Sequence, residues 1–188
     1  TIKSYQRYED TKIPKVLARD HHLYMTIPKG YSVAMNKDNF VWIVKEKGNE
    51  DFYQSITIYY QDYLDTSDFD KSHLLKMREK YMKNIEGEES GTHMITEPML
   101  PVSYKEVDFN DRYGVKMRGL WRKTGNIIMG GPFISYSFVD EARNRMITVE
   151  GWVYAPQYNK RNYIWQLDAI LQTTNVLPVG HLKDNNPG

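Results

Sequence analysis

Apolar and polar residues alternate along several segments of the chain, with the period of two that is typical of strands covered by a core on one side. Residues 52–63 alternate throughout, and residues 133–139 and 146–154 form a second alternating pair around a short polar connection. Residues 40–44 are continuously apolar, which favours a strand buried on both faces. Together these segments predict antiparallel strand pairs.

Three other segments repeat apolar residues at spacings of three and four, the period of a helix that packs along one side. They cover residues 13–20, residues 69–85 and residues 160–174, the last preceded by Asn159, a residue type suited to cap a helix. Helix, strands, helix, strands and helix thus follow one another. This order predicts an α+β domain with a mainly antiparallel sheet and helices packed on one face.

The 188 residues are enough for one domain with a substantial core. Residues 1–20 are polar and predict a linker with a short helix, joining a missing N-terminal region to the rest. Residues 21–175 contain all the main alternating segments and predict a single α+β domain. Residues 176–188 have no apolar period and predict a flexible tail.

Composition and charge exclude several classes of function. The net charge of +1 gives no electrostatic reason to expect a nucleic-acid partner. The chain has no cysteine, its five histidines lack the spacing of a zinc site, and Gly130-Gly131 precedes a strand, whereas phosphate-binding glycines precede a helix. We therefore predict no metal and no cofactor. No apolar run reaches the roughly 18 residues that a membrane-spanning helix needs.

The chain is rich in aromatic residues, with 15 tyrosines and four tryptophans. Tryptophan, tyrosine and arginine are enriched where proteins bind partners. Aromatic and charged residues alternate along the later strands and into the last helix. The predicted binding surface consists of Arg118, Trp121, Arg122, Glu150, Trp152, Tyr154 and Arg161. The alternative is that the aromatic rings pack beneath the helices and the charges only surround them.

Paired carboxylates offer an enzymatic alternative. Glu150 lies in an aromatic strand, where burial can raise a carboxyl pKa enough for acid catalysis. Asp140 or Glu141, at the end of the preceding strand, would supply the second carboxylate of a hydrolase. Against this stands an ion pair between Glu150 and Arg118 or Arg122, or simple exposure. No catalytic residue is assigned on this basis.

Several short motifs resemble one family. They include Met-Gly-Gly-Pro-Phe at residues 129–133, Glu-Gly-Trp-Val-Tyr-Ala-Pro at residues 150–156 and Gln-Leu-Asp-Ala-Ile at residues 166–170. With residues 39–43, 118–121, 139–141 and 160–162, they make residues 22–174 similar to the domain of unknown function 4837. That family occurs in envelope proteins of Bacteroides and relatives.

The resemblance implies a lipoprotein anchored through an upstream lipidated cysteine, with this chain as the C-terminal half. It implies a location in the periplasm or at the outer membrane, membrane contact only through the anchor, and the protein's own N-terminal domain as a partner. It supplies no activity and no catalytic residues. The leading hypothesis is thus a non-enzymatic envelope domain that binds a protein or glycan through its aromatic and charged surface. A hydrolase, or a structural module packed against the N-terminal half, are the alternatives.

Overall fold

The structure, a computed structural model, describes residues 9–48, 51–86, 90–126 and 128–180. Its three α-helices are α1 (Ile13–His21), α2 (Lys71–Met82) and α3 (Lys160–Leu171). Short 3-10 helices cover Thr66–Phe69 and Glu141–Arg143. The strands are β1 (Leu23–Tyr24), β2 (Ser32–Lys37), β3 (Phe40–Glu46), β4 (Tyr53–Asp62), β5 (Met94–Thr96), β6 (Ser103–Asp108), β7 (Tyr113–Lys123), β8 (Gly130–Asp140), β9 (Arg145–Tyr154) and β10 (Asn175–Val176).

Eight strands form one antiparallel sheet in the order β2-β3-β4-β9-β8-β7-β5, and β6 pairs with β7 beside β5. The remaining strands, β1 and β10, pair with each other. The predicted α+β class with a mainly antiparallel sheet is confirmed.

Strands β4, β9 and β8 form the centre of the sheet, and most of their residues are buried. Their pairing places Thr57 beside Glu150 and Glu150 beside Ser135. Because side chains alternate between the two faces of a sheet, this register decides which residues meet.

The helices pack against the sheet through two apolar clusters. Helices α1 and α3 cover one face, which we call the α1–α3 face, where Leu17 and Leu167 pack against Ile56 and Val149. These two helices pack on one face, as predicted. Helix α2 lies on the opposite side, the α2 face, and packs its apolar stripe against Tyr59 and neighbouring residues.

Two strands differ from what the sequence pattern indicates. Residues 22–27 alternate as a strand would, but β1 is only two residues long and lies outside the main sheet. His22 adopts a left-handed conformation (φ 55°) as the C-cap of α1, so the chain turns before the strand can begin. Strand β2 was not predicted, because it lies at the sheet edge with most of its side chains exposed and has no clear apolar alternation.

The predicted linker and tail fall partly outside the described residues, which exclude residues 1–8 and 181–188. Within the described part of both segments, Leu17 of α1 is fully buried, and Val176 of β10 pairs with Leu23. Across the described residues, no helix is both long enough and apolar enough to cross a membrane.

Candidate functional site

The sheet separates the seven residues of the predicted binding surface. Trp152 and Glu150 of β9 lie on the α2 face, together with Trp121 of β7. Alternation along β7 places Arg118 and Arg122 on the opposite side of that strand from Trp121. The structure therefore does not bring all seven into one surface.

The three arginines of that set have separate partners. Arg118 Nη2 lies 3.2 Å from an Asp168 oxygen. Arg122 Nε lies 3.5 Å from a carboxylate oxygen of Glu97. The Arg161 guanidinium lies 4.5 Å from the centre of the Trp165 ring. The three arginines therefore make three separate contacts and do not converge on one site.

Asp168 of α3 is the centre of a polar cluster on the α1–α3 face. Tyr136 donates a hydrogen bond of 2.6 Å to it, and Lys116 Nζ lies 3.1 Å away. Burial alone would raise the pKa of Asp168, but the hydrogen bonds from Tyr136 and Gln172 and the charge of Lys116 outweigh it and lower that pKa. This cluster fastens α3 to the sheet.

Glu150 forms a fully buried ion pair with Arg78 of α2. Arg78 Nη2 donates to Glu150 Oε1 at 2.8 Å, and neither side chain is exposed. The Tyr59 hydroxyl donates to the same carboxylate at 3.2 Å. Arg78 also donates to Thr96 Oγ1 at 2.9 Å, and its guanidinium lies 4.0 Å from the centre of the Phe133 ring. The expected partners Arg118 and Arg122 are therefore replaced by a helix residue.

Burial raises the pKa of Glu150, and the adjacent Arg78 charge limits that rise. A hydrolase would need a second carboxylate roughly 5–10 Å away. Asp140 lies five register positions along the strands, which is about 17 Å at roughly 3.4 Å per residue, and it pairs with Arg143 and Arg145. Glu141 follows Asp140 in a 3-10 helix beyond the strand. The expected convergence of these carboxylates on Glu150 is wrong.

An aromatic cleft opens on the α2 face, next to Ile85 and beyond the end of α2. It has a volume of about 410 Å³. Its aromatic lining, which defines the name, consists of Trp42, Tyr53, Trp121, Trp152 and Tyr154. Its charged lining consists of Glu46, Asp51, Glu86 and Lys123.

Strand pairing places the aromatic lining on one face. Tyr53 of β4 pairs with Tyr154 of β9, and Trp152 pairs with Ser55, whose hydroxyl accepts a 3.2 Å hydrogen bond from the Trp42 indole. On the next strands, Trp121 pairs with Gly131. The five rings therefore come from four strands, β3, β4, β7 and β9, that are distant in sequence.

Gly131 explains part of the Met-Gly-Gly-Pro-Phe motif. A Cβ atom there would lie 1.9 Å from the Val153 carbonyl oxygen, which is a severe backbone clash. The same Cβ would lie 3.4 Å from the Trp121 indole nitrogen. Glycine thus allows the backbones and the Trp121 ring to approach closely beside the cleft.

The rings of the cleft pack closely against one another. Trp121 and Trp152 meet edge to face at 5.2 Å, and Trp42 lies 6.1 Å from Trp152. Tyr53 and Tyr154 stack at 6.1 Å. Trp121 and Trp152 are each 2% exposed, and their indole N–H groups have no hydrogen-bond partner within the described chain. The two tryptophans form the floor, and the other three rings are partly exposed.

Negative charge predominates at the opening of the aromatic cleft. Glu46, Asp51 and Glu86 are all exposed. Among the residues that the structure describes, none of these carboxylates has an ion pair. Burial raises the pKa of Tyr154, and the negative charge of Asp51 raises it further. The negative charge of Asp51 therefore reaches the Tyr154 hydroxyl, which lines the cleft, and favours its protonated form.

A second depression of about 460 Å³ adjoins the aromatic cleft. The two share Trp121, Lys123 and Met129, and the second is also lined by Arg122 and Gly131. At this strand end, Arg122 and Trp121 thus border the same depression although they point to opposite sides of β7.

Sequence reasoning missed Arg78, Trp42 and Tyr53 as site residues. Arg78 lies four residues after Leu74 and three before Tyr81, so the helical period already placed this arginine on the packed stripe of α2. Trp42 and Tyr53 were recognised as strand residues, but their place at the site depends on register. Over the described residues, no group of three or more potential ligands is arranged to hold a metal ion.

Two solved structures share the fold at low sequence identity. The Saccharomyces cerevisiae Ran-binding protein Mog1p is 13% identical with a TM-score of 0.52, over 83% of this chain and 90% of that chain. A mutant of the protein Mog1 is 12% identical with a TM-score of 0.52, over 84% of this chain and 92% of that chain. No curated protein sequence matches the chain.

A comparison with protein families is more specific than the comparison with solved structures. The residues that match one family profile include the main sheet, the three α-helices and the aromatic cleft. They also include Gly131, whose lack of a side chain allows the close backbone approach beside the cleft. Because the profile of the Domain of unknown function (DUF4837) matches residues 10–173, most of its length, the chain belongs to that family.

Proposed function

We propose that the chain is a non-enzymatic binding domain whose ligand site is the aromatic cleft. One observation carries the proposal: aromatic rings from four strands and four charged side chains surround about 410 Å³ on the part of the α2 face beyond the end of the helix. Ligand sites commonly enclose about 300–1,000 Å³, with mostly aromatic or apolar walls and a few polar groups. The cleft matches that description.

The proposal narrows the binding surface expected from the sequence. Trp121, Trp152 and Tyr154 line the cleft, and Arg122 borders the adjoining depression. Glu150 is excluded from ligand contact, because its carboxylate is fully buried against Arg78. The ligand class expected from the sequence, a protein or a glycan, is kept.

The cellular setting is a proposal that rests on the family resemblance. A domain of this family would work in the cell envelope, in the periplasm or at the outer membrane, with membrane contact through an upstream lipid anchor. The N-terminal region of the longer protein would be an intramolecular partner. Protease protection of the present chain, compared with a longer protein that includes that region, tests this partnership. Unchanged cleavage in both would contradict it.

Binding at the cleft is tested with two probe sets, uncharged oligosaccharides such as chitotriose and short peptides with varied central residues. Titrations of the 188-residue chain are followed by tryptophan fluorescence and by the indole N–H resonances. We expect at least one probe to shift the signals of Trp121 or Trp152. The double variant Tyr154→Ala, Trp42→Ala should bind that probe at least about tenfold more weakly, which is a loss of about 1.4 kcal/mol in binding free energy.

Trp165→Ala is the matched control, because it removes an exposed aromatic ring that lies outside the cleft, beside Arg161. It should leave the affinity unchanged. The proposal is contradicted if binding is lost with Trp165→Ala and kept in the cleft variant, or if neither probe set binds.

A further inference from the structure

We infer that the aromatic cleft receives the positively charged side chain of a lysine or arginine from a protein partner. This inference rests on the proposed function and adds the chemistry of the ligand. It follows from the charge of the opening, from the partly exposed rings of Trp42 and Tyr154, and from the way the same chain binds its own cations.

The charge of the opening favours a cation. Three exposed carboxylates, Glu46, Asp51 and Glu86, face one cation, Lys123, among the charged residues that line the cleft. None of the three carboxylates is neutralised by an ion pair within the described chain. A basic side chain entering here would gain electrostatic attraction that a neutral ligand would not.

The aromatic walls favour the same ligand. Cations bind over ring faces within about 6 Å of the centroid, and tryptophan is the best of the aromatic side chains for this. In the part of the chain that the structure describes, no arginine or lysine lies over Trp42, Trp121, Trp152 or Tyr154. Of these rings, those of Trp42 and Tyr154 are partly exposed, so they offer a cation from outside a ring surface that no arginine or lysine of the described chain occupies.

The same chain places several of its own cations over aromatic rings, and two of these sites illustrate the arrangement. Lys47 Nζ lies 4.6 Å from the ring centre of Phe52, 4.5 Å from that of Tyr158 and 5.3 Å from that of Tyr163. Arg78 lies over Phe133 and pairs with a carboxylate. The cleft combines both arrangements, since it has several rings, as around Lys47, and carboxylates, as around Arg78.

A glycan fits the cleft less well. Sugar hydroxyls need both donors and acceptors, whereas the charged groups at the opening are three carboxylates, which only accept, and one lysine. The two unpartnered indole N–H groups, of Trp121 and Trp152, lie in the buried floor. An ammonium or guanidinium group donates hydrogen bonds and accepts none, which matches three acceptors.

The test compares three tripeptide amides that differ only in the central residue: lysine, arginine or the uncharged norleucine. Each is titrated against the 188-residue chain by fluorescence and indole N–H shifts, with chitotriose as a fourth probe. We expect the lysine or arginine peptide to bind at least about tenfold more tightly than the norleucine peptide. Its affinity should fall as salt is added, because exposed charges are screened.

A charge-neutral variant tests the opening directly. Glu46→Gln, Asp51→Asn and Glu86→Gln together should remove most of the preference for the basic peptides. The control, Asp38→Asn, Asp62→Asn and Glu141→Gln, makes the same change in net charge at exposed residues outside the cleft and should bind as the unmodified chain does.

The outcomes separate this inference from the proposed function. If chitotriose or the norleucine peptide binds as tightly as the basic peptides, and the Tyr154→Ala, Trp42→Ala variant abolishes that binding, the inference is overturned and the proposed function stands. If basic peptides bind equally to the neutral variant, or do not bind at all, the inference is also overturned. If their binding survives the loss of Tyr154 and Trp42, both fail.

Discussion

The two halves of the α2 face contain similar side chains in opposite situations. In the half beneath α2, the Glu150 carboxylate pairs with Arg78, and the Arg78 guanidinium lies over the Phe133 ring; all three side chains are buried. In the other half, the aromatic cleft places exposed carboxylates beside aromatic rings, and no arginine or lysine of the described residues lies over its tryptophans. The difference shows that a carboxylate among aromatic rings does not by itself indicate catalysis. What matters is whether the fold already supplies its counter-charge.

Removing the internal cation should have the largest effect. Arg78→Met leaves Glu150 buried without its partner, and breaking one side of a buried ion pair costs about 3–5 kcal/mol. Urea denaturation should show that loss in the free energy of unfolding. Adding Glu150→Gln should recover more than half of it, because the uncompensated charge is then gone. A double variant no more stable than Arg78→Met would contradict this account of the pair.

The backbone contact beside the cleft should have the next largest effect. Gly131→Ala directs a methyl group at the Val153 carbonyl oxygen, so the two strands must move apart. Overpacking of this kind costs about 1–3 kcal/mol. Thermal unfolding compares it with Ser103→Ala, an exposed edge-strand control that should change stability by less than about 0.5 kcal/mol. Equal stability of both variants would show that the close contact is unimportant.

Asp168 extends the comparison to the α1–α3 face, where a carboxylate is only partly buried. Its pKa is lowered from the ordinary 3.8 on folding, so it contributes stability above that pH and loses it as the pH falls through the lowered value. Asp168→Asn should therefore cost about 1 kcal/mol at neutral pH and progressively less in acid. Urea midpoints across a pH series measure this. A loss that grows in acid would contradict the sign.

Neutralising the cleft carboxylates should affect stability least. The variant Glu46→Gln, Asp51→Asn, Glu86→Gln changes exposed groups without ion pairs in the described chain, so its free energy of unfolding should stay within about 0.5 kcal/mol of the unmodified chain. Urea denaturation of the two chains side by side checks this. A loss as large as that of Arg78→Met would mean that these carboxylates support the fold, which would remove the contrast between the two halves.

The sequence predicts the sheet well where both of its faces are apolar. Strands β4, β8 and β9 follow from alternation, and the three helices follow from their period of three to four residues. Alternation along β7 also contained the information that Trp121 faces away from Arg118 and Arg122. The predicted surface combined them because they are close in sequence.

The site itself depends on information that a pattern does not contain. The position of Arg78 on the packed stripe of α2 was visible in the sequence, but the strand residue opposite it was not. The aromatic cleft likewise requires the register of β3 with β4, of β4 with β9 and of β8 with both β9 and β7. A shift of one residue in any of these pairings would send a ring to the other face.

The central pairing of β4 with β9 has a consequence for how the protein folds. It joins Tyr53–Asp62 to Arg145–Tyr154 over ten successive pairs, so the middle of the sheet closes only when distant parts of the chain meet. Closing such a large loop before its contacts form is entropically costly, and proteins dominated by long-range strand pairing fold in roughly milliseconds to seconds. During synthesis on the ribosome, the edge of β4 that pairs with β9 stays unpaired until β9 emerges. During that interval, the chain is most exposed to aggregation.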